Sequence, residues 1–131
     1  MATRMTEKAE NRRVNRDNRP AAHVRHIRMS PTKARLVLDV IRGMKYIEAA
    51  AALQNIPNAA APIVKKLVDS AAANAEMKDY SKNELIVLEC FANAGPTLKR
   101  MIPKGKGSSA RILKRTCHIS VILGREDERR V

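Results

Sequence analysis

The chain has no tryptophan, and its aromatic share is 2%, carried by Phe91, Tyr46 and Tyr80. Modules that read single-stranded nucleic acid by stacking bases on a sheet use several aromatic rings, so that class is not expected. Cysteine is scarce too: Cys90 and Cys117 do not suggest a disulfide framework, and no CxxC pair offers a zinc site. The other candidate metal ligands are His23, His26 and His118. Strand alternation would send His23 and His26 to opposite faces, and adjacent Cys117 and His118 would diverge in the same way. No metal and no cofactor is expected. The segment Gly105-Lys106-Gly107-Ser108-Ser109 lacks a Gly-Lys-Ser/Thr triplet, so it is not a nucleotide-binding phosphate loop. The carboxylates Asp39, Glu48, Asp69, Glu76, Asp79, Glu84 and Glu89 are scattered without an acid/base partner. Side chains of strand neighbours Cys117 and His118 do not readily hydrogen-bond, which disfavours a thiol nucleophile. An enzyme is therefore not expected. No apolar run approaches the roughly 20 residues of a membrane span. No apolar segment follows the N-terminal charges, so neither a membrane anchor nor a signal peptide is expected. The simplest location is cytoplasmic and reducing.

Positive charge is abundant. Twenty-six Lys and Arg against thirteen Asp and Glu give 131 residues a net charge of +13 and a pI near 10.5. That balance points to nucleic acid or another polyanion. No acid occurs from Cys90 to Arg125. Within that zone, residues 94–118 carry Lys99, Arg100, Lys104, Lys106, Arg111, Lys114 and Arg115. Strand-like runs flank them, Leu85-Ile86-Val87-Leu88 before and Ile119-Ser120-Val121-Ile122-Leu123 after. Two such runs around a Gly- and Pro-containing turn predict a β-hairpin. Its arm from Ala94 to Pro103 would reach roughly 34 Å at about 3.4 Å per residue. A small domain cannot cover such an arm, and an isolated hairpin is marginal in water. A polyanion is expected to receive it.

The rest of the chain reads as one domain. Residues 1–20 hold Arg4, Lys8, Arg12, Arg13, Arg16 and Arg19 without apolar periodicity, which predicts a disordered or extended basic arm. Residues 22–29 read as a strand. Ser30-Pro31 marks a helix start, and Gly43 its C-terminal cap. Between them Ala34, Val37, Leu38 and Ile41 share one face. Residues 46–55 form a short Ala-rich second helix. A third runs from 58 to 78, with Pro62 in its first turn and a broad apolar stripe. Residues 84–93 are apolar on both faces and predict a central, covered strand. Cys117, Ile119, Val121 and Leu123 alternate with polar residues and predict a half-buried strand. The expected fold is α+β: three helices packed on a small antiparallel three-stranded sheet, with a long extended β-hairpin. The domain spans 21–124, and 125–131 is a charged tail.

Several pieces together resemble one family. IRMSPTKARLVLDVIRG, AAPIVKKLVDSAAANAE, GPTLKR and ILKRTCHISVIL are similar to the twenty-second protein of the large ribosomal subunit in its bacterial form. The resemblance covers residues 22–123. Each motif alone is weak, and their joint occurrence is specific.

The resemblance implies a domain near the exit of the nascent-peptide tunnel and a hairpin threaded through ribosomal RNA. It implies three partners: large-subunit ribosomal RNA, neighbouring large-subunit proteins, and the nascent peptide. Carried over by position, Leu98, Lys99 and Arg100 occupy the arm segment tied to tunnel geometry and macrolide sensitivity. Lys104, Lys106, Gly107, Ser108 and Arg111 occupy the tip region. Of these, Leu98, Lys99, Arg100, Lys106, Gly107 and Ser108 would line the tunnel. Lys114 and Arg115 match RNA contacts of the returning arm, and Arg25, Arg28, Lys33 and Arg35 the RNA-facing end of the domain. Where family members often carry Arg near Ser108 and Asp near Ala110, this tip reads Gly-Ser-Ser-Ala, so charged contacts at those positions are not carried over. Residues 1–20 extend beyond the usual start. Two other readings stay open: a nucleic-acid regulator acting off the ribosome, and an enzyme of nucleic-acid metabolism. The first is disfavoured because the helix after Ser30 exposes few base-reading side chains such as Asn or Gln, and the second because a metal or acid/base cluster is missing.

Overall fold

The computed structural model describes residues 3–14 and 18–128. Arg16, counted above in the basic arm, and the end of the tail from 129 lie outside the described residues. The elements are α1 (Thr3–Val14), β1 (Ala21–Ile27), α2 (Pro31–Ile41), α3 (Tyr46–Asn55), α4 (Ala61–Glu76), β2 (Ile86–Ala94), β3 (Leu98–Pro103), β4 (Ser109–Lys114) and β5 (Cys117–Gly124). The architecture is α+β. Strands β1, β5 and β2 form one antiparallel sheet in that spatial order, and β3 and β4 form a second, two-stranded one.

Local chemistry accounts for the helix boundaries. Ser30 takes the extended N-cap conformation, with Pro31 following, but its hydroxyl makes no capping bond. After α2, Gly43 turns at φ +79°, a region glycine enters without steric cost. That turn lets the Gly43 N–H donate to the Val87 carbonyl at 3.0 Å. The buried face of α2 is Ala34, Val37, Leu38 and Ile41, as the spacing predicts. Helix α4 buries Ala61, Val64, Leu67, Val68, Ala71, Ala72 and Ala75. Its small side chains let the helix axis lie close to β1 and β5, which it covers.

Three expectations need correction. First, β2 is an edge strand, and the half-buried β5 is the central one. A bulge explains the double-sided apolar pattern of β2. Val87 pairs with Leu123 and Glu89 with Ile122, so Leu88 is an extra residue. Leu85 and Val87 are buried before the bulge, Cys90 and Ala92 after it. Side chains of both parities therefore reach the same core. Second, His23 and His26 do not face opposite ways. Val24 pairs with Ile119 and Ile27 with Cys117, so β1 also carries one extra residue. His26 sits there at φ +58°, and His23 and His26 border one groove.

Third, residues 3–14 form a helix rather than an extended arm. The segment is free of Gly and Pro and rich in good helix formers, and Arg12 and Arg13 complement the helix dipole in the last turn. Residues 4–13 are all exposed, so this helix buries no face against the domain. The described part of the charged tail folds back onto the domain. The Tyr80 hydroxyl donates to the Glu128 carboxylate at 2.8 Å, and the Arg125 guanidinium lies 5.0 Å from the Tyr80 ring centre.

Along the free edge of β2 the carbonyls are taken up. Tyr46 N–H donates to Leu85 O at 2.8 Å, and Val87 N–H to Met44 O at 2.9 Å. Beyond Gly43, side chains take over. Arg42 Nη2 donates to Cys90 O at 3.1 Å, and Arg35 Nε to Ala92 O at 3.0 Å. Two arginine side chains laid over an edge in this way hinder its pairing with another chain.

Leu38 is fully buried and Met101 is 72% exposed. Leu38→Ala is expected to cost about 3 kcal/mol in urea unfolding, and Met101→Ser less than about 0.5 kcal/mol. Burial pushes the thiols of Cys90 and Cys117 above their usual range, the Arg42 guanidinium partly opposing this at Cys90. The unfolded chain then gives up these protons first. The associated stability is present below about pH 8.5 and falls as the pH climbs beyond it. Alkylation of the two thiols at pH 8 is expected only at the rate of global unfolding.

Candidate nucleic-acid interface

The distal hairpin is a six-pair ladder, from Leu98 opposite Lys114 to Pro103 opposite Ser109. Its length is about 20 Å at 3.4 Å per residue. The arm is thus not one continuous ladder, because Gly95-Pro96-Thr97 and Arg115-Thr116 interrupt the pairing. Every residue of β3 is exposed. Pairing fixes the faces. One face carries Leu98, Arg100 and Ile102 with Lys114, Ile112 and Ala110. The other carries Lys99, Met101 and Pro103 with Leu113, Arg111 and Ser109. Each face thus presents one cation from each strand beside apolar stems. Among the described residues, no carboxylate pairs with any of these cations. Charge on both faces suits a rod enclosed by polyanion better than a patch laid on one.

The tip closes through Lys104 N–H donating to Ser108 O at 2.8 Å, and the Ser108 hydroxyl donating to Gly105 O at 2.9 Å. Lys106 and Gly107 both adopt left-handed backbone, at φ +58° and +75°. Lys106 holds this conformation at a steric cost of roughly 1 kcal/mol. Its side chain is exposed.

Between domain and ladder lies a neck. Gly95 N–H donates to Thr116 O at 2.9 Å, and the buried Thr116 hydroxyl donates to Pro96 O at 2.6 Å. Arg28 reaches over and donates through Nη1 to Lys114 O at 3.0 Å and Arg115 O at 3.3 Å. A side chain at Gly95 has no room, because its Cβ would lie 2.5 Å from Thr116 Oγ1.

The structure divides the sequence-predicted residues into two groups. Lys99, Arg100, Lys104, Lys106, Arg111, Lys114 and Arg115 come together on the ladder, tip and neck, all exposed. Arg25 and Lys33 are exposed on β1 and α2. Arg28 and Arg35 also have exposed surface, but each commits a donor to a carbonyl of the protein. Sequence reasoning missed Arg42, which acts like Arg35. The signal was available: Arg28, Arg35 and Arg42 recur every seven residues. Leu98 is 44% exposed beside Lys99 and Arg100. Among the described residues, no group of three His, Cys, Asp or Glu side chains is placed to hold a metal ion, and no helix is long and apolar enough to cross a membrane.

Gly95→Ala is expected to displace Thr116 and destabilise the protein by about 1–3 kcal/mol. Thr116→Val, which strands the Pro96 carbonyl, should cost about 1 kcal/mol. Thermal unfolding, with amide chemical shifts at the neck, measures both.

A comparison with known families gives a match that agrees with this geometry. The family model for ribosomal protein L22p/L17e matches residues 22–124, from β1 through the hairpin to the end of β5.

Proposed function

The chain belongs to the ribosomal protein L22p/L17e family, and from that premise we propose that its hairpin lines the nascent-peptide exit tunnel. Membership itself makes the protein a structural, non-enzymatic constituent of the large ribosomal subunit, cytoplasmic, and bound to ribosomal RNA and neighbouring subunit proteins. The finer reading concerns which residues do this and where the hairpin ends.

The observation that carries it is the acid-free ladder with cations on both faces and no protein covering it. Lys and Arg bind RNA mainly by neutralising phosphates and releasing counterions, which requires charge density and reach. Lys99, Arg100, Arg111 and Lys114 supply that density on the ladder. Lys104 and Lys106 supply it at the tip, and Arg115 at the neck. Arg25, Arg28, Lys33 and Arg35 add contacts from the domain. Leu98, Lys99, Arg100, Lys106, Gly107 and Ser108 form the wall that a nascent peptide passes. In this reading RNA folds around a basic rod, and the rod holds distant RNA segments in fixed relation.

Tagged protein is expected to sediment with the large subunit at one copy each and to resist a high-salt wash. Release in that wash would mean a loose surface patch, and the embedded hairpin would be wrong. Replacing Lys99, Arg100, Arg111 and Lys114 by Gln should flatten the salt dependence of RNA binding by about 0.7 log unit per charge. Deleting Leu98–Arg100 should move the tip and leave the circular dichroism of the domain intact.

A further inference from the structure

The sheet has a face turned away from the helices. Alternation on β5 sends Cys117, Ile119, Val121 and Leu123 inward, so His118, Ser120 and Ile122 point outward. Pairing then builds two rows across the three strands. One row is His23, Ser120 and Phe91. The other is His26, His118 and Asn93, with His26 and Arg25 at the bulge. The chain's only phenylalanine is thus 40% exposed on this face. All three of its histidines stand there with it.

We infer that this open face is a second RNA-docking surface, one that takes unpaired nucleotides by stacking their bases on Phe91 and the histidine rings. This rests on the RNA-binding reading above and deepens it. Low aromatic content argued against a stacking platform. The count overlooked histidine, whose ring also stacks on bases. Four ring side chains on one face of a three-stranded sheet supply the platform that one phenylalanine cannot.

The rings are held rather than loose. His23 Nδ1 lies 2.9 Å from the Ser120 hydroxyl. His26 N–H donates to His118 Nδ1 at 3.0 Å, and the two rings meet edge to face at 4.7 Å and 84°. They border a groove of about 440 Å³ together with Val24, Arg25, Asn93 and Ser120, within the range of small-ligand sites. Arg25 offers a cation for phosphate, and the Asn93 amide offers both donor and acceptor to a base edge. Among the described residues, Glu89 lies on this face paired with Arg19 at 2.8 Å, and the Glu128 carboxylate reaches its far end beside Gly124 and Leu88. The groove at the other end of the face is lined by no carboxylate among the described residues, so an anionic strand meets no negative charge in it. Paired RNA fits poorly, because a duplex hides its base faces.

Absence of tryptophan makes the test clean. Phe91→Trp places a single indole on the face, and circular dichroism checks its fold. Titration with large-subunit ribosomal RNA is expected to quench that indole as bases stack on it. In parallel, Phe91→Ala should weaken binding about tenfold while leaving the salt dependence unchanged, since no phosphate contact is lost. Tight RNA binding with undiminished indole emission would overturn this inference, leave the hairpin reading standing, and free the face for a neighbouring subunit protein. No RNA binding at all would overturn both. Should Phe91→Trp misfold, ultraviolet crosslinking of the unaltered protein decides. Crosslinks at His23, Phe91 or His118 support the inference, and crosslinks that spare all three refute it.

Discussion

Strand β5 pairs with two neighbours at once, and the rest of the molecule depends on that. On one side it binds β1, which begins the domain. On the other it binds β2, which launches the hairpin. Both roots of the hairpin are therefore adjacent strands of the core sheet, and β5 is its middle strand, paired on both edges. Its inward side chains Cys117, Ile119, Val121 and Leu123 are all buried under the helices. The returning basic arm is thus continuous with the best-anchored strand in the protein. Where the hairpin leaves the domain, its direction is set by core packing plus the neck at Gly95 and Thr116.

A strongly basic protein is often read as a globule with cations spread on its surface. Here some of the arginines also hold the protein together. Arg35 and Arg42 close the edge of β2, and Arg28 spans two carbonyls of the returning arm. A guanidinium has five N–H donors in a planar fork, so it can satisfy a protein carbonyl and still meet a phosphate. Lysine, a single strongly hydrated point charge, suits the exposed ladder and tip, where Lys99, Lys104, Lys106 and Lys114 stand. Arg100 and Arg111 stand on the ladder as well, and Arg100 Nη1 donates to Lys99 O at 2.9 Å.

Much of this was legible in the sequence, for local reasons. Ser30-Pro31 and Gly43 bound α2 because backbone chemistry limits what those residues can do. The hairpin showed through its apolar roots and acid-free interior. The family motifs reached to within a residue of the matched span. What escaped was tertiary. Bulges at Leu88 and beside His26 each reverse side-chain parity, and nothing in a period-2 pattern marks an extra residue. Only β5, opposite both bulges and itself regular, alternates cleanly. That regularity is the mark of the central strand, while the mixed pattern of β2 came from its bulge. The histidine face was missed for the same cause. The helix at residues 3–14 was missed because it has no apolar face for periodicity to detect.

The account's central claim is that the core folds without RNA and the distal ladder does not hold itself firmly without it. Amide hydrogen exchange on the free protein and on the protein bound to large-subunit ribosomal RNA tests this most directly. Ladder amides of β3 and β4 should exchange near the rate of local fraying in the free protein, while β5 amides approach the global limit. On RNA the ladder should become protected and β5 change little. Equal protection of the ladder and β5 in the free protein would contradict the account, because the hairpin would then be a self-sufficient part of the fold.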